Sequence, residues 1–308
     1  MIQPPEISRR DWIMVVALGV IWGATFLVIE IALEGITPFW LATARVVFAT
    51  ALVGLIWQVR GGALFAERPT PATVGLTLVI GVLSTALPFL LISWGQQFVT
   101  SGFTGVSMAS VALMVLPLAH FMVPGEQLSW RKVAGFVIGF AGVVILIGGQ
   151  AFESSASANE TYGRLAVLGA AGCYAISSVL LRKLPTVDST GLTAITLAIG
   201  TPIALICALL VEGPPPAVDS RTFLALALLG MVPTAGAFLL RVMVVRSAGP
   251  TFMSLTNYQV PLWSVLFGWL VLNEPLPPSL LWALILILLG VALSQYGAFK
   301  RLFTQSDT

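Results

Sequence analysis

Residues 81–91 read GVLSTALPFLL, and residues 230–240 read GMVPTAGAFLL. Gly81 pairs with Gly230, Thr85 with Thr234, Ala86 with Ala235, and Phe89 through Leu91 with Phe238 through Leu240, at a shift of 230 − 81 = 149 residues. The register continues. Glu126-Gln-Leu128 matches Glu274-Pro-Leu276, and Gly142-Val143 matches Gly290-Val291 at a shift of 290 − 142 = 148. Chance likeness between apolar stretches does not hold Gly, Thr, Glu and Phe in step from residue 81 to residue 142. The chain therefore reads as two related halves, 1–150 and 151–308.

What the halves are made of follows from composition. Of 308 residues 57% are hydrophobic and 9% charged, with 15 basic and 13 acidic side chains. A soluble domain carries roughly 25% charged residues. At a mean hydropathy of +0.98 and 32.6 kDa, these charges cannot coat a water-exposed globule. The chain reads as an all-α polytopic membrane protein. A helix needs about 20 apolar residues to cross the hydrocarbon core, and breaks at Pro, Gly and charged clusters leave ten such spans. They run over 12–33, 38–59, 72–95, 99–124, 130–149, 162–184, 188–211, 221–247, 250–272 and 279–299. Five spans per half is an odd number, so the second copy enters the membrane from the opposite side. The expectation is ten helices in two inverted five-helix repeats around a central cavity, with a solute bound near the midplane.

Orientation comes from the basic residues. Arg9, Arg10, Arg60, Arg68, Arg131, Lys132, Arg182, Lys183, Arg246, Lys300 and Arg301 fall on one side, and only Arg164 and Arg221 on the other. Eleven against two places both termini in the cytoplasm of a cell whose inner membrane the chain spans.

Several function classes drop out. A net charge of +2 offers no basic stripe for nucleic acid. Cys173 and Cys207 lie inside apolar runs and read as small buried hydrophobes. No cleaved leader is expected, because the first apolar run is long enough to span. The sequence holds no Walker A run, no His-Glu-x-x-His, no Cys/His cluster and no Gly-x-Gly-x-x-Gly, so ATP hydrolysis, a metal centre and a dinucleotide cofactor lack support. The longest connections, near 60–71 and 149–161, leave no room for a soluble catalytic unit. An enzyme is not expected. The sequence is silent on oligomeric state.

Trp22-Gly23-Ala24-Thr25-Phe26 in the first span, Arg45 in the second, and in each half a Glu followed by an apolar helix ending in Gly-Val resemble EamA-type proteins of the drug/metabolite transporter superfamily. The resemblance covers the whole chain, and Glu126 and Glu274 are its most specific part. It implies ten helices and export of small metabolites, with a general likeness to bacterial YddG-type amino-acid exporters. One departure stands out: Pro261 precedes Glu274 by 13 residues, whereas Pro117 precedes Glu126 by 9.

Polar groups are costly in hydrocarbon, so their placement separates lining helices from scaffold. Spans 5 and 10 read as scaffold, with Gly135, Gly139 and Gly142 permitting close approach. The candidate lining residues are Trp22 and Thr25 in span 1, Arg45 in span 2, Thr85 and Phe89 in span 3, Ser110 in span 4 and Tyr174 in span 6. Phe238 joins them from span 8, with Asn257, Tyr258 and Gln259 from span 9. Asn257 and Gln259, two apart, are expected to straddle a cavity wall beside Pro261; the competing role is interhelical hydrogen bonding. An unpaired Arg45 would be expensive, so a Glu30–Arg45 ion pair or bonds to backbone carbonyls are expected, with a substrate carboxylate as the other possible partner. Glu126 and Glu274 are read as carboxylates favouring the start of the helix that follows each, with gating as the alternative. His120 reads as a polar anchor. An aromatic cavity with few charges suits uncharged or zwitterionic organic solutes. A lipophilic-cation antiporter built on Glu30, a receptor and a membrane enzyme are the other classes considered.

Overall fold

The computed structural model describes residues 7–304 apart from 63, 66–67, 124–125 and 154–157. Ten helices follow the predicted spans: α1 (Arg9–Leu33), α2 (Pro38–Val59), α3 (Pro71–Gly95), α4 (Ser101–Met122), α5 (Trp130–Glu153), α6 (Ala158–Leu181), α7 (Ser189–Val211), α8 (Ser220–Gly249), α9 (Thr256–Leu272) and α10 (Pro278–Thr304). Among the described residues, nine are long and apolar enough to cross a membrane unaided. The exception is α9, at 17 residues. Its span was expected to begin at 250, but Gly249 turns the backbone at φ 85°, one helical turn follows to Met253, and the chain turns again before Thr256.

Local chemistry sets the helix starts. Pro38, Pro71 and Pro278 occupy first turns, where a missing N–H costs nothing. Thr70, Thr100, Asp188 and Asp219 each accept a backbone amide three residues on, as N-caps do. Pro117 and Pro261 both sit inside helices, so the different proline spacing breaks neither.

The duplicated motif has a structural signature. Val82–Ala86 within α3 and Gly230–Gly236 within α8 are π-helical, at matching places in the two halves. Each packs on a helix of the other half: α7 on the first and α2 on the second. Glycine admits the contact both times. A Cβ at Gly81 would meet Ile199 of α7 at 2.9 Å, and one at Gly230 would meet the carbonyl oxygen of Arg45 in α2 at 2.7 Å. Likewise α5 lies along α10, and α4 along α9. Each of these pairs joins a helix of one half to a helix of the other.

Candidate functional site

The paired helices enclose one main cavity of about 960 Å³. It opens at the end of the bundle that carries the α4–α5 and α6–α7 connections, where Glu126, Lys132 and Arg182 are 36%, 32% and 46% exposed. Glu126 accepts from Arg182 at 2.7 Å and from Lys132 at 3.3 Å, and these two cations hold its carboxyl below the usual carboxylate range. His120 lies beside it, its Nδ1 3.2 Å from the Glu126 carbonyl oxygen.

The cavity stops short of the other end of the bundle, where carboxylates join the halves. Glu274 accepts the backbone amides of Ser101 at 2.8 Å and Gly102 at 3.0 Å, the first N–H groups of α4. Glu212 does the same for Phe39 and Trp40 at the start of α2, at 3.0 and 3.1 Å. Helix N-termini present unpaired donors and a positive dipole end, which a carboxylate satisfies together. Capping is thus the role of Glu274, but it caps α4 of the opposite half and not the α10 that follows it in sequence. Glu126 does not cap; it forms the ion pairs at the mouth.

The structure brings Trp22, Thr25, Arg45, Phe89, Tyr174 and Asn257 to the cavity wall. The Trp22 indole donates to the Pro233 carbonyl at 3.1 Å, and Thr25 bonds back to Ile21. The expected Glu30–Arg45 ion pair is absent. Glu30 takes the Gln96 amide at 3.3 Å and lies near the closed end with Gln96 and Glu274, outside the main cavity. Arg45 instead donates its Nε to Thr234 Oγ1 at 2.9 Å and lies 4.2 Å from the centre of the Phe89 ring.

The other predicted residues lie outside the cavity wall. Ser110 is buried and bonds back to Ser107. Thr85 packs where a Gly200 Cβ would stand, 2.7 Å from its methyl. Gln259 packs against Gly19 of α1, and Tyr258 against the core shared by α4, α5 and α10; Phe238 is half-buried. Asn257 and Gln259 therefore do not straddle the cavity, because consecutive positions of a helix differ by about 100° and only one of the three faces inward. Sequence reasoning missed Met108, Ala112 and Val260, apolar lining residues with no polar signal, and Gln295 of α10, which lines the mouth and accepts from Ser254.

The sequence model of the EamA-like transporter family matches residues 11–148 and, a second time, residues 161–296. The chain belongs to the EamA-like transporter family. Relatives align with it over most of both chains. An uncharacterized transporter YoaV of Bacillus subtilis is 23% identical, covering 93% of this chain and 97% of its own. The S-adenosylmethionine/S-adenosylhomocysteine transporter of Chlamydia trachomatis is 26% identical, over 91% and 88%. The uncharacterized inner membrane transporter YedA of Escherichia coli is 27% identical, over 92% and 90%. A crystal structure with TM-score 0.66 and 21% identity covers 94% of this chain and 99% of its own, a likeness in fold. This EamA-like chain is a multi-pass membrane transporter of small molecules.

Proposed function

We propose that the protein is a secondary transporter or facilitator that exports small zwitterionic metabolites, neutral and aromatic amino acids foremost, by alternating access between the halves 1–150 and 151–308. One observation carries the reading: the main cavity, walled by both halves, opens at one end of the bundle and stops short of the other, where cross-half carboxylate caps sit. The mouth lies on the side where α1 begins and where Arg131, Lys132, Arg182 and Lys183 fall, which the positive-inside rule assigns to the cytoplasm. In this state the cavity takes up solute from within the cell. S-adenosylhomocysteine, one of the two solutes named for a relative, is a zwitterionic amino acid without net charge, so the proposed class embraces it.

Glu30 speaks against the lipophilic-cation antiporter, since its carboxylate sits at the closed end and not on the cavity wall. Purified protein in liposomes, loaded with a panel of unlabelled amino acids, tests the proposal by counterflow of the labelled ones. Saturable counterflow of at least one neutral amino acid is expected. Failure across the panel, with proton-driven uptake of a lipophilic cation that Glu30→Gln abolishes, overturns it.

A further inference from the structure

We infer that Arg45 is a carboxylate-binding site in the cavity wall and that Thr234 is the residue that aims it, so the solutes accepted carry a carboxylate beside an apolar or aromatic group. The inference rests on the transporter reading and names its substrate class.

The argument begins with cost. Arg45 lies seven residues into α2, about 10 Å below that helix's start at 1.5 Å per residue, and only 7% of it is exposed. A guanidinium at such depth needs a counter-charge or a full set of acceptors. The ion pairs among the described residues are Lys132–Glu126, Arg182–Glu126, Arg164–Glu160 and Arg221–Glu34. None reaches Arg45. Its one hydrogen bond among the described residues runs from Nε to Thr234, so both Nη groups lack a protein acceptor while the residue borders the cavity.

Geometry then narrows what can satisfy it. One face of the guanidinium is covered by the Phe89 ring, a cation–π contact that holds the plane. The Nε edge is taken. What remains is the end-on fork of Nη1 and Nη2, whose spacing matches the two oxygens of a carboxylate. Phe89 and Tyr174, packed in one apolar cluster, line the cavity beside it, where they would receive a side group.

Thr234 owes its aim to the π segment. Its hydroxyl donates to the carbonyl of Leu229, five residues back, at 2.7 Å. With that proton committed, the oxygen's lone pair is left to accept from Arg45. The duplicated site differs. Thr85, the mate of Thr234, faces α7, where Gly81 meets Ile199 as Gly230 meets Phe48, a shift of 199 − 48 = 151, so the position equivalent to Arg45 (45 + 151 = 196) is Thr196, an uncharged buried residue. Among the described residues this threonine-aimed guanidinium of the first half has no counterpart at the matching place in the second.

The test uses full-length protein in liposomes and matched probes: L-phenylalanine, 3-phenylpropionate and phenylalaninamide, each competing for counterflow with whichever labelled amino acid the panel identifies. The two acids should compete at least tenfold better than the amide. Arg45→Gln should erase that preference and Arg45→Lys should keep part of it. Thr234→Val should raise KM about tenfold with kcat little changed, and Thr234→Ser should restore it. A structural role for Thr234 would instead lower the amount of folded, monodisperse protein in both variants alike. Equal competition by acid and amide in the wild type overturns the carboxylate site while leaving the transporter reading intact. Absence of counterflow altogether overturns both.

Discussion

Glu274 of the second half holds the backbone amide of Ser101 in the first, at 2.8 Å. The α4 start is thereby pinned to the α9–α10 connection, at the end of the cavity where solute has no exit. Gly268 makes room for it, since a Cβ there would collide with the Glu274 carboxylate.

Removing that cap should loosen the closed end. Glu274→Ala is expected to cost about 1–2 kcal/mol, the usual size of a lost helix cap. Thermal unfolding in detergent should record the loss. In a background without Cys173 and Cys207, a cysteine at Val99, which is 8% exposed, should label faster from that face once Glu274 is gone. Unchanged labelling would show that the cap does not hold the end shut.

The mouth behaves differently with pH. Arg182 and Lys132 depress the Glu126 pKa below its ordinary 4.5, so the stabilisation from these pairs is present above the unfolded pKa and lost as pH falls through the folded one. The Tm difference between wild type and Glu126→Gln should hold steady from pH 8 to about pH 5 and shrink only at more acid values. A difference that shrinks between pH 8 and pH 6 would point to another group.

Coupling should be passive. Among the described residues the cavity wall carries no carboxylate at mid-depth, and the acidic residue on it, Glu126, lies at the mouth. A one-unit pH gradient imposed on liposomes should leave the initial rate of neutral amino-acid uptake unchanged within twofold. A rate that follows the gradient and collapses in Glu30→Gln would establish proton antiport.

Close helix contacts supply a stability contrast. A Cβ at Gly135 would stand 2.5 Å from the Gly290 carbonyl oxygen, whereas one at Gly54 meets nothing within 4 Å. Gly135→Ala should destabilise by about 1–3 kcal/mol through overpacking, and Gly54→Ala should be neutral or raise stability by up to about 1 kcal/mol. Unfolding midpoints of the two proteins in one detergent would decide it.

Cysteine labelling of intact cells checks orientation. A cysteine at Asp219 should react from outside and one at Lys183 should not, in keeping with the basic-residue bias. The reverse pattern would turn the cavity mouth outward.

The helices and the duplicated motif were legible because hydrophobic length and a repeated spacing are one-dimensional signals, whereas which helices pair across the halves was not. Gly81 and Gly230 keep step in the sequence and make equivalent contacts in space. Cavity-wall residues were legible only where chemistry and helix face coincide. Trp22, Arg45 and Tyr174 satisfy both. Tyr258 and Gln259 satisfy the first alone, since the angular position of a short helix begun after a kink at Gly249 depends on its neighbours. The partner of Arg45 was misread for a related reason. Proximity along two adjacent helices suggested Glu30, but the π segment of α8 brought Thr234 from 189 residues away.

The seam between α5 and α10 bears on biosynthesis. These helices approach so closely that the Gly135 and Gly290 backbones leave no space for a side chain, yet α10 is the last of the ten to leave the ribosome. Until α10 follows, after four further helices, the faces of Gly135 and Gly142 that it covers lack their packing partner, whereas Gly139 already has Leu113 of α4, and no polar group is left unsatisfied meanwhile. The seam can therefore lock only once α10 has been made, and a chain cut short ahead of Pro278 would lack the helix that α5 packs against.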